Sequence, residues 1–576
     1  MRTKEHQADL CIVGGGLAGI CATLAAARRG AKVVLVQDRP MLGGNSSSEI
    51  RMCVSGAQGL NVRETGIIEE ILLENRFRNP LCNYSIWDSI LYEKVRYQPN
   101  VTLLLNCTVT SLDMDGNRIR AVRGWQMTSE TWHTVHADLF ADCSGDSILA
   151  PLSGAEFRIG REARREFNED IEPQEADLQT MGLSCLIQAR ETDSPQPFAP
   201  PAWAYQYPSD DDLPYREHQP FTETNFWWIE LGGDQDSIHD TEEIRDELLK
   251  VAYGVWDHIK NHGDHGAENW VLDWIGFLPG KRESRRYVGD IILTQNGVRS
   301  EGHFNDLVAY GGWTMDDHHP GGIRWQGQPT IFHPAPSPFG IPFRCLYSKN
   351  IENLFCAGRN ISTTHAALSA ARVMATCALL GQSVGTAAAF AIRNGLKPRD
   401  IYEKRIGELQ QNLMEDDCYL LWLNREVPDL SRKAALTASD GDPEPLRNGI
   451  DRPVYGQDNG WTGGLGSWVQ YSFGTPRKIK SLRLVFDSDL NRKGETMRFH
   501  YPLHMDPVGV PQTIVRSFRV EASSVDGEWQ EIVHVTNNYQ RLVCIGTDVE
   551  ASAVRFIPES TWGSERAHLF GFEVKE

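Results

Sequence analysis

The sequence predicts an α/β chain that ends in an all-β sandwich, and three observations predict it. Residues 8–36 (ADLCIVGGGLAGICATLAAARRGAKVVLV) read as strand, glycine-rich turn, helix and strand. From Val101 to Asp142 short β segments follow one another as a meander, with a turn at Asp115-Gly116-Asn117. Beyond Ser439–Arg447 (SDGDPEPLR), alternating runs recur at regular spacing through SWVQYSF, IKSLRLVFD, SFRVEASS, WQEIVHV, AVRFIP and LFGFEV. That spacing is the pattern of a β-sandwich of roughly 125 residues.

Between these landmarks, residues 64–76 (ETGIIEEILLENR) carry helical periodicity. The stretch 160–345 is less regular and reads as a mixed α+β substrate or cap domain. Within it, 191–222 is rich in Pro and Asp and predicts surface loops. Eight of the sixteen tryptophans fall between Trp203 and Trp325, which points to a core for this region. NLFCAG then reads as a strand, residues 366–394 as a long Ala-rich helix, and 400–424 as further helix. The expected domains are 1–160 with 345–430, then 161–344, then 440–576.

At 576 residues the chain exceeds one ordinary core. A hydrophobic content of 41% and a charged content of 23% describe a globular protein. The formal charge of −20 excludes a nucleic-acid backbone as partner, since that needs a basic surface. No run of about 18 apolar residues lies outside the Ala/Gly-rich helix, so no membrane span is expected. The start, MRTKEHQADLCIVGGG, lacks the apolar region of a signal peptide. Twelve cysteines show no C-x-x-C, and Cys11, Cys356 and Cys377 sit in apolar runs as small hydrophobes. A reducing cytoplasm is the expected compartment.

Gly14-Gly15-Gly16-Leu17-Ala18-Gly19 contains G-x-G-x-x-G. Alone the hexapeptide says little. Here it follows an apolar strand, opens a helix and precedes the strand KVVLV, the context of a Rossmann-type dinucleotide site. The glycines serve a tight turn, close approach to pyrophosphate, and helix–strand packing, while the helix N-terminus faces the phosphates. Where an acid usually binds the ribose, this chain has Gln37, followed by Asp38 and Arg39. A Gln amide retains hydrogen-bonding capacity toward a ribose diol.

Three further segments turn the dinucleotide into FAD. They are Arg39–Glu49 (RPMLGGNSSSE), Ala141–Asp146 (ADCSGD) and Asn353–Arg359 (NLFCAGR), the last leading into Thr364-His365-Ala366-Ala367. With GKRESRRYVGD, IPFRCLY and NISTTHAALSAARVMATCALLGQSVGTAAA, they resemble the two-dinucleotide-fold FAD oxidoreductase superfamily over about residues 8–425. The closer resemblance is to bacterial FAD-dependent oxidoreductases often associated with carbohydrate breakdown. This implies an FAD site from Gly14, Gly16, Leu17, Ala18, Gly19, Gln37, Asp38, Arg39, Gly43, Gly44, Asn45, Ser46, Ser48, Val109, Ser144, Gly145, Asp146, Gly358, Arg359, His365 and Ala366. The helix after His365 is expected to point its N-terminus at the flavin pyrimidine.

Alcohol oxidation at a flavin needs a base near the substrate hydroxyl, most often His. The glycine-flanked stretch Gly311–Gly322 (GGWTMDDHHPGG) pairs acids with histidines, and Phe332-His333-Pro334 follows. His319 and His333 are therefore the candidates for proton handling, with Arg344 as a substrate or flavin contact. Trp313 offers a flat face of the kind that holds sugar rings. Lys281–Arg286 (KRESRR) reads equally as a carboxylate-holding cluster or as an ion-pair network between domains. Cys53, near the expected flavin pocket, is read as a buried structural Cys rather than a flavin thioether. His258, His262, Asp264 and His265 include an i, i+4 pair, but their polar neighbours make a solvated helix end the expectation, and no metal is expected.

In the C-terminal region Asn448-Gly449, Trp461, Ser467–Phe473 (SWVQYSF) and Ile479–Leu484 (IKSLRL) resemble the discoidin-like sandwich. That resemblance implies either glycan binding or packing and homo-oligomer formation, the latter favoured. The function expected is an FAD-dependent oxidoreductase oxidising a hydroxyl of a sugar-like small molecule and passing electrons to an unnamed acceptor. Two rivals stand beside it: a C=C reductase or desaturase, and a glycan-binding protein in which FAD is structural.

Overall fold

Leu10–Val13 and Val33–Val36 are apolar runs without a polar face, as strands covered on both sides require, and both are buried. In the computed structural model, which describes residues 1–493, 497–524 and 527–576, they lie in β1 (Arg2–Val13) and β2 (Val33–Val36). The helix α1 (Leu17–Arg28) connects them. β2 pairs in parallel with β3 (Val101–Leu104). The meander follows as β4 (Cys107–Asp115), β5 (Arg118–Gln126) and β6 (Thr131–Asp142), antiparallel to one another. β6 returns to pair in parallel with β1 and with the short strand Leu354–Cys356. The sheet order is β3-β2-β1-β6-β5-β4.

Two local expectations change. The polar lead Arg2–Gln7 is itself strand, held by pairing with Thr131–His136, a partner that its own composition does not announce. WHTVHA and DLFAD are one continuous strand, because the first half serves β5 while the second serves Leu354–Cys356.

The Ala-rich helix is two helices, α3 (His365–Ala371) and α4 (Met374–Asn394). Val373 between them is extended (φ −65°, ψ 147°), and Ala375 N–H bonds Ser55 O at 2.9 Å instead of continuing one helix. α4 is apolar enough to cross a membrane by composition, yet 94% of its apolar window is buried inside this unit, as a core helix should be. It packs backbone to backbone on α1. A Cβ on Gly381 would fall 2.0 Å from Ala18 O, and one on Gly385 2.1 Å from Ala22 O.

In the 160–345 region, Trp228, Trp256 and Trp270 join a separate apolar core with Leu248, Val255 and Phe221 around the helix α2 (Thr241–Asn261). The tryptophan-rich stretch thus supplies a core, as composition suggests. The end of α2 is not a solvated tail. His258 is fully buried and His265 nearly so, because the loop 205–220 folds over them, and Tyr207 O takes the His258 Nδ1–H at 2.7 Å. His262, half-exposed beside Asp257, and the exposed Asp264 behave as expected.

The chain divides into two compact units. One comprises Met1–Gln58, Leu81–Leu409 and Glu495–Pro507; the other comprises Gly59–Pro80, Gln410–Gly494 and Val508–Glu576. The second is an antiparallel sandwich, with strands in the order Trp461–Gly464, Arg566–Lys575, Val469–Phe486, Leu542–Thr561, Val515–Ser523 and Trp529–Val535. Ala435–Ala438 adds to Val469–Phe486. Trp461, Tyr471, Phe486, Phe518, Phe556 and Phe572 fill its core. The helix Ile67–Arg78 belongs to this unit, where the Arg492 guanidinium grips the Glu69 carboxylate at 2.5 and 2.7 Å. Burial alone would raise the Glu69 carboxyl, but Arg492 overrides it and holds it at about 2.

Candidate active site

The first unit holds a cavity of about 650 Å³, within the range of cofactor and substrate sites. One end is built of backbone. Gly14 turns at φ +103°, and Gly43 N–H bonds Gly15 O at 2.8 Å, so two glycine-rich turns face each other without side chains between them. A Cβ on Gly44 would stand 3.2 Å from Gly16 Cα. α1 opens at this place with no side-chain cap and no acid in its first turn. Its orphan N–H groups and positive dipole end suit a pyrophosphate.

Beside this turn, Ser144-Gly145-Asp146 and Gly358-Arg359 form the floor. Asp146 accepts from Lys281 at 2.9 Å, from Arg359 at 2.8 Å and from Ser284 Oγ at 2.8 Å. Burial would raise this carboxyl, but the two cations hold it well below the usual carboxylate range. Two cations against one carboxylate leave one positive charge for a diphosphate. The bare glycine walls, the uncapped helix and this charge fit FAD, and these residues would hold it.

Of the expected cofactor residues, Gly14, Gly16, Leu17, Ala18, Gln37, Asp38, Arg39, Gly43, Gly44, Asn45, Val109, Ser144, Gly145, Asp146, Gly358 and Arg359 line the cavity. Cys53 does too, and its Sγ lies 4.0 Å from Ser55 Oγ. The rest serve at one remove. Gly19 lies where a Cβ would strike Gly14 O at 1.9 Å, so it sets helix–turn packing. Ser46 Oγ donates to Gly43 O at 2.9 Å, and Ser48 N–H donates to Asp88 at 3.1 Å, bracing the second turn. Gln37 spends its amide internally, accepting from Gly15 N–H at 2.7 Å and donating to Met41 O at 3.1 Å. It shapes the glycine turn rather than offering its amide to a ribose.

His365 and Ala366 do not face the cavity. Their N–H groups donate to Glu162 and Glu172 at 2.9 and 2.8 Å, so carboxylates of the protein cap α3. The His365 ring is buried between Glu283 (2.8 Å) and Asp317 (3.2 Å). Burial discourages charge there, yet Glu283 and Asp317 outweigh it and hold the imidazole protonated well above its usual range. The helix terminus on the cavity is that of α4, through Val373, Met374 and Cys377.

The other end of the cavity carries Trp227, Arg282, Trp313, Asp316, His318, Phe332 and Arg372. It is built on the hairpin β7 (Met315–His318) and β8 (Thr330–His333), where Phe332 sits opposite Asp316 and Thr330 opposite His318. His318 Nδ1 lies 2.7 Å from Glu230 and Nε2 lies 3.1 Å from Asp316. Asp316 also accepts from Thr330 Oγ1 at 2.6 Å and from Arg372 at 2.9 Å, and Arg282 stands 3.4 Å from Glu230. Burial opposes charge on both acids, but His318 and Arg372 hold Asp316 well below the carboxylate range, and Arg282 with His318 lowers Glu230.

The three residues expected to do chemistry lie elsewhere. His319 stacks on Trp325 (centroids 4.1 Å, 8° between planes) and accepts from Gly321 N–H. His333 pairs with Met315, on the other face of the hairpin from Asp316 and His318. Arg344 is locked in a two-pronged pair with Asp306 (2.9 and 2.9 Å) and lies over Tyr402. The Lys281–Arg286 cluster divides its work: Lys281 and Arg282 line the cavity, while Arg286 pairs with Glu162 at 3.1 Å.

A family model described as FAD dependent oxidoreductase matches residues 9–413. Among curated proteins, Glycerol-3-phosphate dehydrogenase 2 of Mycobacterium bovis is 38% identical over 73 residues, 13% of this chain and 12% of the relative. Glycerol-3-phosphate dehydrogenase of Mycobacterium leprae is 40% identical over 73 residues, again 13% of this chain and 12% of its own length. Among solved structures, the family 32 carbohydrate-binding module from Streptococcus pneumoniae EndoD aligns at 16% identity and a TM-score of 0.21, covering 26% of this chain and 98% of that one. The family 32 module of C. perfringens NanJ aligns at 11% identity and a TM-score of 0.19, covering 26% of this chain and 96% of its own.

Proposed function

Because the chain belongs to the FAD dependent oxidoreductase family, we propose that it is a dehydrogenase oxidising a hydroxyl of a sugar or sugar-like small molecule. The observation that carries this reading is the far end of the cavity. There the Trp313 Nε1–H and the Arg372 Nε–H are buried without a partner among the described residues, in the same lining as His318. Buried donors of this kind want oxygen acceptors, and a polyol supplies several. Trp227, Trp313 and Phe332 add flat apolar faces, the two indoles each with an N–H at the edge, the usual surroundings of a sugar ring. The dehydrogenase names of the curated relatives point the same way.

Bound FAD supplies the two-electron acceptor for the hydride leaving the substrate carbon. With His318 neutral and its one proton on Nδ1 toward Glu230, the hydroxyl proton goes to the free Nε2 as the substrate oxygen displaces Asp316 from it. Glu230 holds the Nδ1–H, fixing which nitrogen is open, and Arg372 keeps Asp316 aside. The imidazolium that results stays paired with Glu230 through Nδ1.

Anaerobic mixing with a panel of sugars and polyols should bleach the flavin for at least one member. His318→Gln should slow that bleaching by roughly 10²–10⁴-fold with FAD still bound, the range of a lost general base. Equal rates in both proteins would remove His318 from the reaction. A second reading is favoured by the same pair of carboxylates, which suits a protonated His318 acting as donor to a C=C bond. In that case enoates would reoxidise reduced flavin, and sugars would leave it unbleached.

A further inference from the structure

Outside the cavity, four side chains converge at the C-terminal end of α2. His258 comes from the helix, His265 from the loop after it, and Asp210 and His218 from the Pro- and Asp-rich segment folded over both. Each offers one ligand atom, and these four atoms lie within 4.8 Å of one another. His258 Nε2 is 3.1 Å from His218 Nε2, and Asp210 Oδ1 is 3.2 Å from His258 Nε2 and 3.5 Å from His218 Nε2. His265 Nε2 stands 3.9 Å from the same oxygen. Ligands on a tetrahedral zinc ion, at 2.0–2.1 Å from it, are separated by about 3.4 Å.

The tautomers decide what this cluster is for. His258 Nδ1 lies 2.7 Å from Tyr207 O, and His218 Nδ1 lies 2.7 Å from Arg216 O. A carbonyl only accepts, so both Nδ1 atoms carry their protons, and each ring in its neutral form turns an unshared pair inward at Nε2. Two lone pairs 3.1 Å apart, with a carboxylate oxygen beside them, repel one another unless a cation lies between. Backbone carbonyls orienting imidazoles through Nδ1–H is also how histidine ligands are held in metal centres. His258 is wholly buried, His218 is 7% exposed and the His265 side chain is inaccessible, so bulk water reaches the cluster from the Asp210 side and not between the rings. The negative end of the α2 dipole adds to the attraction for a cation.

We propose that Asp210, His218, His258 and His265 form a closed three-histidine, one-carboxylate site for a divalent first-row transition metal, zinc by its donor set. His265 enters through Nε2 by giving up its 2.9 Å contact with His262 O; its Nδ1 then carries the proton, and the Gln219 amide, whose nitrogen lies 2.6 Å away, turns over so that its oxygen accepts it. Four protein ligands leave no open position, so the ion is structural. It ties the segment carrying His218 to the end of α2. Glu217, Glu223, Thr224, Asn225 and Trp227, which follow or flank that ligand in sequence, line the cavity. The metal therefore fixes one wall of the substrate end from outside it.

The full-length protein, purified without chelator, should contain stoichiometric zinc by elemental analysis. After stripping and reloading with cobalt(II), it should show the intense visible bands of tetrahedral cobalt. His218→Ala and His258→Ala should abolish those bands. Since His258 is a core residue, the exposed Asp210→Asn serves as the variant that folds, and it should weaken cobalt binding at least tenfold while FAD stays bound. His262→Ala, beside the site but outside it, should bind as wild type. The proposal is overturned if wild type takes up no tetrahedral cobalt, if Asp210→Asn and His218→Ala bind it unchanged, or if His262→Ala loses it equally.

Discussion

Gln37 sits where the ribose-binding acid of this fold usually stands, and its amide closes the glycine turn from behind. Gln37→Leu leaves the Gly15 N–H without its acceptor in a buried place, a loss of about 1–3 kcal/mol. With 1.4 kcal/mol per factor of ten, FAD binding should weaken by roughly tenfold or more, read by fluorescence titration of the deflavinated protein. Unchanged affinity would mean that the turn holds its shape without that bond. The glycine turns themselves are legible in sequence because their constraint is local: only glycine tolerates such backbone approach. The proton-handling histidine is not, and the reason is parity. Residues 315–318 form a strand, so Asp316 and His318 share one face while Asp317 turns to His365 on the other. Read as a glycine-flanked loop, the segment points to His319 and passes over His318. Read as a strand, it selects Asp316 with His318, and sets His333 with Met315 on the opposite side.

At the scale of elements, the break between α3 and α4 decides which helix terminus meets the cavity. No glycine or proline marks it in HAALSAARVMATCALL; the break is set by tertiary partners, Ser55 O for Ala375 and Asp316 for Arg372. The carboxylates that cap α3 give it a pH signature. Burial lifts the Glu172 carboxyl to about 7, only partly countered by His365. A carboxyl whose folded pKa is raised contributes stability that is full below its unfolded value of about 4.5 and lost as pH climbs through about 7. Glu172→Gln, which needs no proton, should flatten the fall of Tm across that window; an unaltered slope would assign the fall to another group. The α1–α4 contact makes a second prediction. A helical Gly→Ala change ordinarily gains about 0.5–1 kcal/mol, but the Gly385 Cβ would stand 2.1 Å from the Ala22 carbonyl oxygen. Overpacking of this kind costs about 1–3 kcal/mol or more, so the clash wins and Gly385→Ala should lower Tm by several degrees in a thermal melt. Because α1 carries the phosphate-facing turn, FAD retention should fall with it.

The whole molecule is less separable than a linear division suggests. Composition shifts near residue 440, whereas the sandwich already has its first strand at Ala435–Ala438 and its unit takes in the chain from Gln410. What composition misses is exchange: Gly59–Pro80 belongs to the sandwich unit, and Glu495–Pro507 belongs to the unit that holds the cavity. Neither segment has a sequence signature, because membership is fixed by partners far along the chain. Tyr501 pairs with Arg190 as an isolated bridge, His500 Nδ1 accepts from Ala189 N–H at 3.0 Å, and Phe499 lines the cavity. A chain ending at residue 430 therefore keeps every glycine turn and every charged group of the cofactor end, yet loses one wall of the substrate end and the strand-like cover over Ala189 and Arg190. It also leaves Glu69 buried without Arg492, and breaking a buried pair from one side costs about 3–5 kcal/mol. The shortened chain should accordingly be insoluble or should lose FAD on gel filtration, whereas a truncation between independent domains would leave a yellow, monodisperse flavoprotein. Recovery of that flavoprotein with full cofactor occupancy would show that Glu495–Pro507 is dispensable to the unit it packs in.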